Sequence, residues 1–285
     1  MKFGTFITSM RPEKIAANLR LAEEAGFESA WIGEHLIMPV NYQSKYPYTP
    51  DGRFPAPLDV PFHDPMMTLT YAAAVTNRIK LATGIFVVPI RNPITTAKSV
   101  VSLDVLSNGR VIFGVGIGWF AEEFAAAGVG DHFKDRALRT REYIEIMKAL
   151  WTQEDPVYEG KTFSIKGVRF NPKPVQKPHP PIVVGGTSEL ALKRTVRYGD
   201  GWYGIARSMD EARNLIGRLR ELERSASRAR PVEITLSLRT GHPLTADEVH
   251  QLADLGVERT LAGLPLRALD GDDVRRFHDE VMAKV

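Results

Sequence analysis

The sequence predicts an α/β fold, a closed (β/α)8 TIM barrel with insertion loops at the C-terminal face. Three observations carry that expectation. Strand-length apolar runs alternate with segments of helical period along the whole chain. The alternation counts to eight, more than the runner-up, an open doubly wound sheet, usually holds. Several strands end in glycine, so one end of the sheet is left as bare backbone.

The first strand is Lys2–Thr8 and leads to a helix from Pro12 to Ala25. Strand 2, Phe27–Gly33, is followed after an interruption by a helix over Asp64–Thr76 and strand 3, Ile79–Val88. The next helix, Pro93–Ser107, is the best punctuated. Ile94, Ala97, Val101 and Val105 recur at helical spacing, Asn92 is placed to cap it, Pro93 takes the first position and Asn108-Gly109 stops it. Strand 4 is Arg110–Ile117, and a long helix, Lys134–Trp151, precedes strand 5 at Pro181–Gly185. The remaining pairs are helix Ser188–Tyr198 with strand Gly201–Ile205, helix Met209–Ser225 with strand Val232–Arg239, and helix Ala246–Leu255 with strand Val257–Gly263. A last helix spans Asp272–Lys284. Residues 1–285 are expected to form one barrel domain. Residues 39–63, rich in proline and aromatics, follow strand 2 where barrel active-site loops lie, and are expected to act as a lid. Residues 156–180 hold two short alternating runs around glycine and then a proline-rich return, the pattern of a small hairpin.

Candidate chemistry sits at the strand ends. In strand 4, Gly114, Gly116 and Gly118 follow at period two, which puts all three on one face with Phe113, Val115 and Ile117 on the other. A bare face of this kind suits either a flat ligand or close packing of another element. Strand 2 runs into Gly33-Glu34-His35, and adjacent residues point oppositely, so one of the acid and the imidazole is expected to reach the pocket. His35, an imidazole able to give or take a proton, is the candidate catalytic residue for proton transfer. Strand 5 opens into a helix through Gly185-Gly186-Thr187-Ser188. Free amides, hydroxyls and a positive helix end would converge there on an anion such as phosphate, unless the segment is only a Gly-Gly turn with a capped helix.

Composition and motif context narrow the classes further. The chain has 285 residues, 44% hydrophobic and 25% charged, the balance of a globular protein rather than a disordered one. It has no cysteine, which excludes disulfides, thiolate metal sites and a cysteine nucleophile. No run approaches the roughly 20 apolar residues of a membrane span, and the N-terminus lacks a leader pattern, so a cytoplasmic enzyme with no membrane partner is expected. The formal charge of +3 arises from dispersed Arg and Lys, with a basic cluster only around Arg218–Arg230, read as a solvated helix face and not a nucleic-acid surface. Gly114-Xaa-Gly116-Xaa-Gly118 departs from the dinucleotide fingerprint because Trp119 takes the slot of the third glycine. The histidines show no metal-ligand spacing, and neither a nucleophile elbow nor a Walker loop is present.

Four segments together carry a resemblance: KFGTFIT, AEEAGFESAWIGEHL, the long run from DPMMTLTYAAAV through GVGIGWFAEEF, and PPIVVGGTSELALKRTVRYGDGWYG. By these the chain resembles the luciferase-like monooxygenase superfamily, and within it the coenzyme F420-dependent oxidoreductases. The resemblance implies a flavin or deazaflavin at the C-terminal mouth, its ring among the ends of strands 2, 3 and 4 and its phosphate near the strand 5 turn. It also implies a non-proline cis peptide at Gly84–Ile85, with Ile85 backing the ring. The implied cofactor-binding residues are Gly84, Ile85, Gly116, Gly118, Trp119, Gly185, Gly186, Thr187 and Ser188. In related sugar-phosphate dehydrogenases a histidine after strand 2 and a glutamate after strand 4 flank the reacting carbon; His35 matches the first, whereas Trp119 stands in place of the second. The implied activity is hydride transfer between F420 and a small-molecule substrate. FMN is the alternative cofactor, in a monooxygenase using reduced flavin and oxygen, and a flavin-binding carrier without turnover is a third reading. The oligoglutamate tail of F420 would call for cations at the mouth, for which Arg53, Arg91 and Lys98 are the candidates. Relatives of this kind imply a homodimer.

Overall fold

Lys2–Phe6 (β1) pairs on one side with Ser29–Ile32 (β2) and on the other with Arg259–Pro265 (β8), both parallel. The computed structural model describes residues 1–7, 12–240, 242–265 and 271–285. The sheet continues through Lys80–Thr83 (β3) on the β2 side. On the β8 side it runs through Glu233–Leu238 (β7), Gly201–Ala206 (β6), Ile182–Gly185 (β5) and Val111–Gly116 (β4). Parallel pairing of Leu81 with Val111 and Ala82 with Ile112 joins β3 to β4 and closes the eight strands into a barrel. The fold is the (β/α)8 barrel that the alternation predicts.

Alternation along each strand sorts the core into two shells. Trp31, Ala82, Ile112, Val183, Tyr203 and Leu261 fill the barrel interior. Their neighbours, such as Ile32, Leu81, Phe113, Val184 and Trp202, point outward into the helices. Beneath Trp31 the buried Arg259 is held by Glu28 at 2.8 Å and Glu233 at 2.5 Å, so the charge at the closed end is fully paired.

The helices begin where their caps dictate. Asp64 accepts the amides of Met66 and Met67 to start Pro65–Val75 (α2). Asn92 does the same for Ile94 and Thr95 at the head of Pro93–Leu106 (α3), as its sequence position predicts. Ser188 caps Glu189–Tyr198 (α6), and a reciprocal Thr245–Glu248 capping box starts Ala246–Asp254 (α8). Helix Pro12–Glu24 (α1) precedes β2, Arg136–Thr152 (α5) and Met209–Ser225 (α7) lie outside the barrel, and Gly271–Glu280 (α9) ends the series.

The structure shortens or breaks two of the expected strands and adds a helix. The apolar run read as one strand to Val88 breaks after Thr83. Its second part, Phe86–Val87, pairs with Val115 and Gly116 of β4 and passes into a 3-10 turn at Val88–Ile90. The Gly84–Ile85 peptide between the two parts is cis. Strand β4 stops at Gly116, not Ile117. A six-residue helix that the sequence reading missed, Ala121–Ala126 (α4), follows it. The strand end at Thr8 and part of the final loop, 266–270, lie outside the described residues.

Both insertions are tied to the barrel by carboxylates. Tyr158–Glu159 pairs antiparallel with Ser164–Ile165, and buried Glu142 of α5 accepts the amides of Lys161 and Thr162 and the Thr162 hydroxyl at 2.6 to 2.9 Å. The proline-rich return is fixed by Asp104, which accepts the amides of Val175 and Gln176. Residues 39–63 contain no helix or strand and fold across the C-terminal mouth, carrying Tyr46, Tyr48 and Phe54.

Candidate functional site

The chain turns directly after β2, and Glu34 and His35 go separate ways. Glu34 reaches under the β3 extension, where it accepts the Val87 amide at 2.5 Å and two N–H groups of Arg91. Arg91 in turn lies 3.0 Å from Asp64, the α2 cap. Burial pushes the Glu34 carboxyl up to about 7, against the opposing pull of the Arg91 guanidinium and the Val87 amide. The pair binds the root of α2 to the strand 3 turn and occupies Arg91, so Arg91 is not an open cation at the mouth. Lys98 is also engaged, with the Asn171 carbonyl and with the Phe170 ring 4.4 Å away.

His35 is held by a residue that the sequence reading did not single out. Its Nδ1 lies 3.2 Å from Oε2 of Glu123 on α4, and both side chains are under 10% exposed. An ionised carboxylate only accepts, so the proton sits on Nδ1 and Nε2 is left free to exchange one. The other oxygen of Glu123 accepts the Leu36 amide at 2.6 Å. Neighbouring Glu122 takes the amides of Gln43 and Ser44 and the Ser44 hydroxyl. The acid pair thereby clamps the start of the 39–63 insertion to α4. Aromatic rings box the imidazole: Phe54 at 4.8 Å, Phe62 at 5.2 Å, Trp119 and Phe120 at 6.0 Å. The glutamate expected after strand 4 is thus replaced by Trp119 at its own position, while Glu123, four residues on, meets the histidine. The signal available in the sequence was the Glu122-Glu123 pair just past the glycines.

Of the two uses a bare glycine face suits, the structure shows close packing at Gly114, Gly116 and Gly185. Gly114 and Gly116 face the barrel interior, but the space a side chain would take there is filled by protein. A Cβ at Gly114 would overlap the Thr83 carbonyl, and one at Gly116 would come within 2.8 Å of Ile85 Cγ2. A Cβ at Gly185 would lie 2.7 Å from Ile85 Cγ1. The three glycines therefore admit the Ile85 side chain, which locks β3, β4 and β5 together where the chain leaves β3. Gly118 does not share their face, because the strand has ended and the backbone takes φ +76° with Phe124 and Val87 against it. Trp119 stacks on Phe120, with centroids 4.3 Å apart, and nearly parallel to Phe54.

Gly185, Gly186, Thr187 and Ser188 lie in sequence at the mouth of β5. Gly186 adopts φ +117°, a region closed to side chains, and its amide donates to the Tyr203 carbonyl. The Thr187 and Ser188 amides enter no backbone hydrogen bond, which leaves donors at the positive end of α6. The Tyr48 hydroxyl lies 4.0 Å from the position of a Gly186 Cβ. Burial pushes the hydroxyls of Tyr48 and Tyr203 up to about 12, so both are neutral hydrogen-bonding groups.

A cavity of about 850 Å³ opens between the 39–63 insertion and the mouths of β1, β2, β7 and β8. Its walls are mostly apolar, including Phe6, Ile32, Phe54, Phe62, Leu238 and Leu261, with Ser237, Arg239 and His242 as polar points. None of the nine implied cofactor residues lines it. It adjoins His35 through Phe54 and Phe62, which serve both as cavity wall and as neighbours of the imidazole. Among the described residues no group of histidines and acids could hold a metal ion, and no helix is long and apolar enough to cross a membrane.

At its C-terminal mouth the closed barrel carries an imidazole held by a carboxylate, a glycine-rich turn at the start of a helix and an apolar cavity. The chain belongs to the luciferase-like monooxygenase family, whose model it matches over residues 1–280. Protein Rv0953c of Mycobacterium tuberculosis is 36% identical over all of this chain and 99% of its own length. An F420-dependent glucose-6-phosphate dehydrogenase of Kineococcus radiotolerans is 28% identical over 95% of this chain and 74% of its own. Two solved structures share the fold. The F420-dependent tetrahydromethanopterin reductase of Methanopyrus kandleri has a TM-score of 0.76, with 20% identity and coverage of 99% and 98%. Monooxygenase RslO1 of Streptomyces bottropensis has a TM-score of 0.73, with 22% identity and coverage of 99% of each chain.

Proposed function

We propose that the protein is an oxidoreductase that moves hydride between coenzyme F420 and a small organic substrate held in the apolar cavity, with His35 carrying the accompanying proton. The observation that carries this reading is the His35–Glu123 contact. It fixes one tautomer of an imidazole at a barrel mouth and leaves its second nitrogen free for acid–base work. The F420-dependent dehydrogenase among the relatives supports the choice of coenzyme.

The residues present fit such a group. Thr187 and Ser188 offer amides outside any backbone hydrogen bond, and Gly186 beside them puts no side chain in the way of a phosphate. The Gly84–Ile85 turn offers flat backbone, its side chain withdrawn into the glycine faces behind it. When bound, the coenzyme supplies a carbon that accepts or gives a hydride. The protein's part is to hold ring and substrate face to face, exclude water with the aromatic 39–63 segment, and hold a proton at His35 Nε2. Tyr46, Tyr48 and Phe54 crowd the mouth, so entry of the coenzyme requires that segment to shift, which is the behaviour of a lid.

The FMN monooxygenase reading keeps the same site, and the fold of RslO1 supports it. Offering F420 to the enzyme with a panel of alcohols, and reduced F420 with ketones and enones, tests the main reading. Coenzyme conversion that requires one substrate class and falls by roughly 100-fold or more in His35→Ala is expected. Conversion unchanged by that substitution removes His35 from the mechanism. Oxygen-dependent product formation with reduced FMN alone replaces the proposal by the second reading.

A further inference from the structure

We infer that the cavity takes an apolar carboxylic acid, and that Arg239 at the end of β7 receives its carboxylate while the reacting carbon lies at the far end of the molecule, toward His35. The inference rests on the reading of this cavity as the substrate site and names the class of substrate.

Strand register puts the guanidinium there. Leu238 of β7 pairs with Ala206 of β6, and the Arg239 amide still donates to the Ala206 carbonyl at 2.8 Å, so the strand conformation carries on into Arg239. Side chains two apart on a strand share a face. Ser237 faces the barrel interior, where its hydroxyl meets that of Tyr203 at 3.1 Å, and Arg239 follows on the same side, one step nearer the mouth. Both line the cavity, and none of the described residues lining it is acidic. The hydroxyls near Arg239 are neutral: burial raises the pKa of Tyr46, Tyr48 and Tyr203, and the Arg239 charge offsets this only in part. His242 is already provided for. Its Nδ1 lies 2.9 Å from the Pro243 carbonyl, and its Nε2 lies 3.6 Å from Glu248, whose other oxygen accepts the Thr245 amide.

A charge at the edge of an apolar cavity selects its ligand. Arg239 is exposed, so without substrate its guanidinium is solvated by water. A molecule apolar enough to match Phe6, Ile32, Leu238 and Leu261 displaces that water as it fills the space. It must bring an anion of its own, or it leaves the guanidinium desolvated and unpaired. Arginine's planar fork meets a carboxylate in two parallel hydrogen bonds, and one guanidinium balances one carboxylate, whereas a phosphate dianion calls for a second cation. Distance sets the rest. In the barrel β8 and β1 lie between β7 and β2, so Arg239 and His35 stand three strand spacings apart, on the order of 14 Å along the wall. The rings of Tyr46 and Phe54, with centroids 5.3 Å apart, cover this interval, Phe54 lying 4.8 Å from the imidazole. A carboxylate on Arg239 therefore belongs to a molecule whose reacting carbon is separated from it by an apolar stretch. An α-hydroxy acid is too short to reach both ends.

Calorimetric titration of the purified protein with octanoate, octanamide and octyl phosphate reads this without turnover. Wild-type protein should bind octanoate at least about tenfold more tightly than octanamide, and added salt should narrow the gap. Arg239→Gln should bring the two to within about twofold of each other by weakening octanoate, and Arg239→Lys, which keeps the charge without the fork, should retain part of the preference. Wild-type protein that binds octanoate and octanamide equally, or binds none of the three, overturns the inference. Tighter binding of octyl phosphate than of octanoate overturns it in favour of a phosphate ester. A preference for octanoate that survives in Arg239→Gln overturns the assignment of Arg239. Titrating F420 into the same proteins keeps this inference apart from the coenzyme reading. F420 bound by wild type but not by Arg239→Gln overturns the inference by giving the arginine to the coenzyme, whereas F420 left unbound by wild type, with the octanoate preference intact, overturns the coenzyme reading and leaves the carboxylate site standing. The wild-type comparison of the three probes holds even if a variant fails to fold.

Discussion

Glu123 of α4 puts one carboxylate oxygen 3.2 Å from Nδ1 of His35 and the other 2.6 Å from the Leu36 amide, so a single side chain both orients the imidazole and pins the backbone that follows it. The two residues are 88 positions apart in sequence and meet because β2 and β4 end at the same mouth. Glu123→Gln keeps a carbonyl to accept the Leu36 amide but turns the acceptor for His35 into a donor. It should leave coenzyme affinity within about twofold and lower kcat by roughly 10- to 100-fold. A displaced acid limb in the pH–rate profile, absent from Glu123→Ala/His35→Ala, separates this role from loss of fold. Unchanged kcat and profile in Glu123→Gln would show that the contact does not serve catalysis.

Ile85 against Gly116 and Gly185 is a close fit with no spare volume. Gly185→Ala should destabilise the protein by about 1–3 kcal/mol through overpacking. Shortening the neighbour in Gly185→Ala/Ile85→Ala should recover part of that loss, giving a favourable coupling energy in a double-mutant cycle of urea denaturation curves. Strict additivity of the two substitutions would contradict the contact.

Glu142 secures the hairpin insertion to α5. Burial pushes its carboxyl up, but the Thr162 hydroxyl and the amides of Lys161 and Thr162 outweigh this and hold it below the usual range. The folded protein thus binds this proton less readily than the unfolded chain. Its stabilisation is present above the ordinary glutamate value of about 4.3 and is lost as pH falls through the folded value. Glu142→Ala should cost about 1–3 kcal/mol near neutral pH, and the difference from wild type should shrink in acid. A constant difference across that range would mean that the carboxylate is not what holds the hairpin.

The barrel was legible in the sequence because each unit carries its own punctuation: Asn92-Pro93 before α3, Ser188 before α6 and Thr245 with Glu248 at α8 are local signals that the structure reproduces. The break in strand 3 at Gly84–Ile85 came only through the resemblance, since Leu81 to Val88 reads as one apolar run. Period-two reasoning failed at Gly118 because it assumed that the strand went on, whereas the chain turns after Gly116. Helix α4 was missed because six residues are too few to establish a period; its acids bonded to the loop hold it in place. The role of Glu123 depends on a contact between distant segments, which no local pattern encodes. The cavity lies toward β1, β7 and β8, because Ile85 and the aromatic 39–63 segment fill the side where bare glycine suggested room.

Separate fluorescence titrations of the purified protein with F420 and with FMN test the central claim most directly. The account predicts saturable binding of F420, at micromolar or lower concentration of the coenzyme as for ordinary enzyme ligands, retained in His35→Ala, with FMN bound far more weakly. Tight FMN binding without F420 binding would contradict it.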